Sequence, residues 1–131
     1  MSATILVLED DTALRDLLCE VLEDEGHQVV ATSSLPALLS QVPDDADLLI
    51  TDLLLSAEEK GLQAIDTVRA ATRPSLPALI CTGASQRLDR LRPEIERLGA
   101  RLLEKPFTIE DLVAQVNYAV RPDAGLRAAC A

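Results

Sequence analysis

Aromatic side chains are almost missing, with one Phe, one Tyr and no Trp in 131 residues. Bases of a single nucleic-acid strand stack on aromatic faces, so this chain cannot build a stacking platform. Histidine occurs once, at His27 after Gly26, and the three cysteines, Cys19, Cys81 and Cys130, lie far apart. That spacing excludes both a zinc site and a disulfide framework. Cys19 and Cys81 read as small apolar packing residues, and His27 as a surface residue at a turn. Basic charge is also scarce, with 12 Lys and Arg against 22 Asp and Glu and a formal net charge of -10. Phosphate backbones and anionic membrane surfaces repel such a protein, which argues against direct nucleic-acid or membrane binding. No apolar run approaches the length of a bilayer, and the opening Met1-Ser2-Ala3-Thr4 carries no basic leader. The expected location is cytoplasmic.

What the chain does have is a hydrophobic content of 48%, enough for one packed domain over residues 1–120. Residues 121–131, with Pro122, Gly125 and small side chains, are expected to form a flexible tail. Short apolar runs suited to buried strands alternate with segments of helical period, the pattern of an α/β parallel sheet covered on both faces. The strands are expected at Ile5–Leu8, Gln28–Ala31, Leu48–Thr51, Ala78–Cys81 and Ala100–Leu103. In the first helix Leu14, Leu17, Leu18, Val21 and Leu22 recur at helical spacing, with Asp11 or Thr12 as cap and Gly26 as stop. Ser33 or Ser34 caps a short second helix with Pro36 in its first turn. Residues 53–60 read as a loop, after which Gly61 opens a helix with Leu62, Ile65 and Val68 inward. Pro93 falls inside the segment 85–98, so that helix is expected to be broken or to begin late. Thr108-Ile109-Glu110-Asp111 forms a capping box for the last helix.

Right-handed crossovers put the carboxyl ends of parallel strands along one edge, where open sheets bind their ligands. Glu9, Asp10, Asp52, Thr82 and Lys105 all fall at or just beyond such ends. Carboxylates crowded together raise one another's pKa unless positive charge lies among them. Hard oxygen donors without imidazole or thiolate favour Mg²⁺. A magnesium ion, the Lys105 ammonium and the Thr82 hydroxyl around a carboxylate make a pocket suited to a phosphoryl group.

Four segments in order, Ile5-Leu6-Val7-Leu8-Glu9-Asp10-Asp11, Leu49-Ile50-Thr51-Asp52, Ile80-Cys81-Thr82-Gly83-Ala84 and Glu104-Lys105-Pro106-Phe107, resemble the receiver domain of two-component response regulators. The similarity covers residues 3–120. It implies a flavodoxin-like, doubly wound five-stranded sheet of order 2-1-3-4-5 with five helices. It also implies that Asp52 is the phosphoacceptor, loaded from phosphohistidine on a histidine kinase or a histidine phosphotransfer protein. By the same resemblance, Mg²⁺ is held by Asp10 and Asp52, by Glu9 through water and by the Leu54 backbone carbonyl. Thr82 and Lys105 bind the phosphoryl oxygens, and the Lys105-Pro106 bond is cis. The domain itself is then no enzyme beyond promoting its own phosphorylation and dephosphorylation.

This chain departs from the family pattern in three places. In the loop after Asp52, Ser56 stands where receivers usually have proline and Gly61 comes one residue later than usual, as in receivers attached to hybrid kinases. Leu54 puts an aliphatic group beside the site, where attack by water on the acyl phosphate is expected to be altered. Leu102 occupies the position where many receivers have the aromatic residue that reports phosphorylation. The signal is therefore expected to pass through loop geometry or through occupancy of Asp52. The implied reading is a stand-alone receiver acting on an unidentified downstream protein, with a homodimer among the assemblies it allows and a fragment of a longer chain as the other possibility. The alternative is a protein-binding module of the same fold that is never phosphorylated. An aspartate-nucleophile phosphatase is disfavoured because Glu9 occupies the first of its two required aspartate positions. A flavin site is disfavoured because Glu9-Asp10-Asp11 would repel the phosphate.

Charge is unevenly spread along the chain. Residues 9–25 hold eight acids against Arg15 alone, while Arg87, Arg90, Arg92, Arg97 and Arg101 crowd one stretch. The favoured reading of the arginines is a salt-bridged helix face with Asp89, Glu94 and Glu96. Otherwise, the acidic and basic faces dock different partners.

Overall fold

A computed structural model describes residues 2–55, 58–83 and 85–121 of the chain. The expected flexible tail, apart from Arg121, and Ser56 lie outside the described residues, as does Ala84.

Five strands alternate with five helices: β1 Thr4–Leu8, α1 Thr12–Asp24, β2 Gln28–Thr32, α2 Leu35–Leu39, β3 Leu48–Thr51, α3 Gly61–Ala71, β4 Ala78–Thr82, α4 Ser85–Leu98, β5 Arg101–Glu104 and α5 Ile109–Ala119. All pairings are parallel and the order is β2-β1-β3-β4-β5. The expected flavodoxin-like arrangement is therefore present. Strand bounds differ from expectation by a residue because ladder pairing extends β2 and β4 to Thr32 and Thr82, which are apolar in neither case.

Alternate residues of each strand feed opposite layers, as the two-residue period of a pleated strand requires. Leu6, Leu8, Leu49 and Ile80 pack with Leu38 of α2, Leu62, Ile65 and Val68 of α3, and Leu88, Ile95 and Leu98 of α4. Ile5, Val7, Leu48, Ile50, Leu79 and Cys81 pack with Leu18 and Leu22 of α1 and Leu112 and Val116 of α5. The fully buried Leu and Ile side chains each contribute roughly 1.5–3 kcal/mol to folding before chain entropy is counted. Cys81 is buried, as expected, and burial pushes its thiol up to about 12. Cys19 is only half-buried.

Capping follows the sequence signals. Asp11 Oδ1 accepts from the Leu14 N–H at 3.2 Å, Ser34 Oγ from Ala37 at 3.3 Å and Thr108 Oγ1 from Asp111 at 3.0 Å. Gly26 ends the first β-α unit with φ of +91°, the left-handed region that glycine adopts without strain.

Two expectations are corrected. Helix α4 is neither broken nor late: it runs from Ser85 to Leu98 with Pro93 inside. Pro93 lies on the exposed side, where water can take up the carbonyl it orphans, while Leu88, Ile95 and Leu98 anchor the other side in the core. His27 is not a surface residue but is 6% exposed, with Nδ1 accepting the Ala3 N–H at 3.0 Å. The turn at Gly26 directs it inward, and burial lowers its pKa below 6.5.

Among the described residues, no helix is long and apolar enough to cross a membrane.

Candidate functional site

The register of the sheet brings the expected site residues to one edge. Leu8 pairs with Thr51 across β1 and β3, and Thr82 with Glu104 across β4 and β5, so Glu9, Asp52 and Lys105 each follow directly on an aligned strand end. The Asp52 N–H donates to Leu8 O at 3.3 Å and the Lys105 N–H to Thr82 O at 2.8 Å. These backbone bonds extend the ladder one step past the strands and fix where the three side chains start.

At the centre is the Lys105 ammonium, which donates to Asp52 Oδ2 at 2.7 Å and to Glu9 Oε1 at 3.2 Å. Side-chain exposure is 3% for Glu9, 12% for Asp52 and 26% for Lys105, so the pairs sit in a partly desolvated hollow. The positive charge that the crowded carboxylates require is thus supplied by the chain itself. Burial raises the Glu9 pKa, opposed by the Lys105 charge and reinforced by Asp52. Burial alone would lower Lys105, but its hydrogen bonds and attraction to Asp52 and Glu9 outweigh that and hold it above 10.5.

Asp52 Oδ1 accepts from the Leu54 N–H at 3.2 Å, which sets the orientation of the carboxylate. Asp10, next after Glu9, is exposed at the same edge. Thr82 is buried at the end of β4, 1% exposed, and joined to Lys105 through its carbonyl. Leu102 is partly buried and packs on the α2, α3 and α4 layer. The Lys105-Pro106 bond is cis.

Glu9 Oε2 is buried without a hydrogen-bond partner. A buried carboxylate oxygen left unsatisfied is costly, and a hydrated divalent cation would relieve it. The donor set of carboxylate and carbonyl oxygens fits Mg²⁺. Among the described residues no group of three His, Cys, Asp or Glu side chains is arranged to hold a metal. The fit is to an ion held through one or two carboxylates, with water and carbonyl oxygens completing its shell.

Four features of the site were not expected. Gly61 is required by close approach, since a Cβ there would lie 2.1 Å from the Asp52 carbonyl oxygen and 2.8 Å from the Leu53 Cα. Arg15 Nη1 donates to the Glu9 carbonyl at 2.9 Å, and the Thr51 hydroxyl to the Asp52 carbonyl at 3.0 Å. Glu59, in the loop between β3 and α3, pairs with Arg87 and Arg90 of α4. Only Gly61 left a signal in the sequence, as a glycine opening a helix right after a loop. A cavity of about 310 Å³ between α2 and α3 borders this loop at Leu55 and Lys60 but includes none of the acids.

The arginine-rich stretch is salt-bridged, as favoured. Arg92 pairs with Asp89 at 3.6 Å, and Arg97 with Glu94 at 2.5 Å and Asp66 at 3.5 Å. Arg101 instead donates to Gln115 and stacks 4.1 Å from the Tyr118 ring centre.

Comparison with known proteins agrees with this geometry. The family model described as the response regulator receiver domain matches residues 5–117. The DNA-binding transcriptional regulator NtrC of Azospirillum brasilense is 34% identical over 97% of this chain and 27% of its own length. The phosphate regulon transcriptional regulatory protein PhoB of Klebsiella pneumoniae is 31% identical over 92% of this chain and 53% of its own. The chain therefore spans between about a quarter and a half of these curated relatives. Among solved structures, NtrX from Brucella abortus superposes with a TM-score of 0.82 at 28% identity, over 99% of this chain and 29% of that one. The chemotaxis protein CheY4 of Vibrio cholerae superposes with a TM-score of 0.79 at 22% identity, over 91% and 99% of the two chains, a likeness of fold.

Proposed function

The chain belongs to the response regulator receiver domain family, and on that basis we propose that it stores a phosphoryl group on Asp52, taken from phosphohistidine of a sensor kinase or a phosphotransfer protein. The observation that carries this reading is the Lys105 ammonium held 2.7 Å from Asp52 Oδ2 and 3.2 Å from Glu9 Oε1 at the carboxyl edge of the sheet.

In the reaction a carboxylate oxygen of Asp52 attacks phosphorus, the P–N bond to the donor imidazole breaks, and the electron pair leaves with the imidazole nitrogen. An acyl phosphate results. The Leu54 N–H orients the attacking carboxylate from Oδ1. Lys105 moves from a carboxylate oxygen to a phosphoryl oxygen through a charge-assisted bond, and the Thr82 hydroxyl supplies a second donor. Asp10 and Asp52, Glu9 through water and the Leu54 carbonyl are the groups to hold Mg²⁺. When bound, the ion would neutralise charge on the transferring group.

The donor is a protein, and helix α1 offers it a surface. Leu17 and, across on α5, Ile109 are exposed at 42% and 52%, beside Glu20, Asp24 and Glu25. An apolar seam ringed by acids suits a helix with basic flanks. Phosphorylation serves signalling through protein contacts rather than turnover of a substrate.

Incubation with acetyl phosphate and Mg²⁺ followed by intact mass measurement tests the reading. The expected result is a gain of one phosphoryl group in the wild type and none in Asp52→Asn or without Mg²⁺. An unchanged wild-type mass would favour the phosphorylation-independent binding module.

A further inference from the structure

We propose that the fork in which Glu59 holds Arg87 and Arg90 is the link through which the state of Asp52 reaches helix α4. This rests on the phosphoacceptor reading of Asp52 and concerns how that event is passed on.

The segment from Asp52 to Gly61 is closed on itself by backbone bonds. The Gly61 N–H donates to Leu53 O at 3.0 Å, while Leu55 and Glu58 exchange bonds of 2.8 and 3.0 Å as an isolated antiparallel bridge. With no Cβ on Gly61, the start of α3 lies directly against the Asp52 carbonyl. These two ties join the Asp52 side of the segment, at Leu53 and Leu55, to its α3 side, at Glu58 and Gly61, so a displacement of one side is passed to the other. Glu59 follows the bridge immediately. Its Oε2 accepts from Arg87 Nη1 at 3.1 Å and Arg90 Nη2 at 2.5 Å, residues 28 and 31 positions further on and one turn apart in the first half of α4.

The other end of the loop touches the reacting group itself. Lys105 holds Asp52 Oδ2 and the Leu54 N–H holds Oδ1, and esterification turns one of these oxygens into a neutral bridging atom and the other into a carbonyl, so both donors lose the anionic charge they now bond to. Displacement of Leu54 moves Leu55, then the bridge, then Glu59. The fork is half-exposed, with side-chain exposure of 28% for Glu59, 43% for Arg87 and 63% for Arg90. Solvent-exposed pairs are weak, which suits a contact that must open and close. Opening it loosens the first turns of α4 and presents two unneutralised guanidinium groups on an otherwise acidic protein.

The test is amide exchange of residues 85–98 with and without acetyl phosphate and Mg²⁺, with the intact mass recorded in parallel. Wild type is expected to gain a phosphoryl group and to exchange faster in α4. Glu59→Gln is expected to gain the same single phosphoryl group, but with α4 already loosened and showing little further change. Glu59→Arg combined with Arg87→Glu and Arg90→Glu is expected to restore the response, which a merely structural role for Glu59 would not predict. By linkage, Glu59→Gln should also bind the phosphoryl mimic beryllofluoride more tightly by roughly two- to fivefold. A phosphorylated Glu59→Gln whose α4 responds as fully as wild type, or a phosphorylated wild type whose α4 does not respond, overturns the link while leaving the phosphoacceptor intact. A wild type that gains no mass overturns both.

Discussion

Ionised Glu9 is held against its own preference, because burial favours the protonated acid and the neighbouring Asp52 adds to that. Its folded pKa lies above the ordinary 4.5, so its contribution to stability is greatest below that pH and is lost as the pH rises through the folded value. Glu9→Gln is therefore expected to be more stable than wild type at neutral pH and to lose that advantage in acid, read from urea midpoints at about pH 7 and pH 4. The same variant should be phosphorylated more slowly, since it gives up charge from the proposed ion site. Stability exchanged for function is common where charges are concentrated for chemistry. Glu9, Asp52 and Lys105 were legible in the sequence because each follows a strand-length apolar run. Their joint arrangement was not, since one ammonium reaching both carboxylates depends on side-chain reach across three strands. His27 was misread because a residue just after a turn carries no periodicity to mark it as buried.

Gly61 and helix α1 show what whole elements contribute. Gly61→Ala drives a methyl group into the Asp52 carbonyl, where the neighbouring atoms are backbone and cannot rotate away. The expected cost is about 1–3 kcal/mol in urea unfolding, with slower labelling by acetyl phosphate because the acceptor loop is displaced. Equal stability of Gly61→Ala would mean that α3 can shift freely. For α1, Glu20→Lys with Asp24→Lys reverses charge beside the exposed Leu17 without touching the reacting edge. Transfer from a phosphohistidine donor protein should slow by roughly tenfold at low ionic strength and become less sensitive to salt. Labelling by acetyl phosphate should stay unchanged. Helix positions and caps were largely legible, because Asp11, Ser34 and Thr108 are local signals. Continuity of α4 through Pro93 was not, since it depends on Leu88, Ile95 and Leu98 being clamped by the sheet.

For the molecule as a whole, two apolar layers on one parallel sheet leave a single edge for chemistry and give the helices the task of carrying charge. Alternation of strands and helices was enough to indicate the layers. The pairing of Glu59 with α4 was hidden, because it joins residues about thirty positions apart through a loop of no fixed period. Global stability carries its own pH signature through His27, whose Nδ1 must stay unprotonated to accept the Ala3 N–H. With a folded pKa below 6.5, the unfolded chain takes up the proton first, so stability is expected to fall as the pH drops below that value. His27→Gln should lack that part of the slope in unfolding measured between about pH 7 and pH 5. The central claim, that one aspartate at the sheet edge carries the phosphoryl group, is tested most directly by trapping the product. Borohydride reduction after treatment with acetyl phosphate and Mg²⁺ converts an acyl phosphate of aspartate to homoserine, which peptide mass mapping can locate. The account predicts homoserine at position 52 and nowhere else; homoserine at Asp10 or at another acid, with position 52 unmodified, would contradict it.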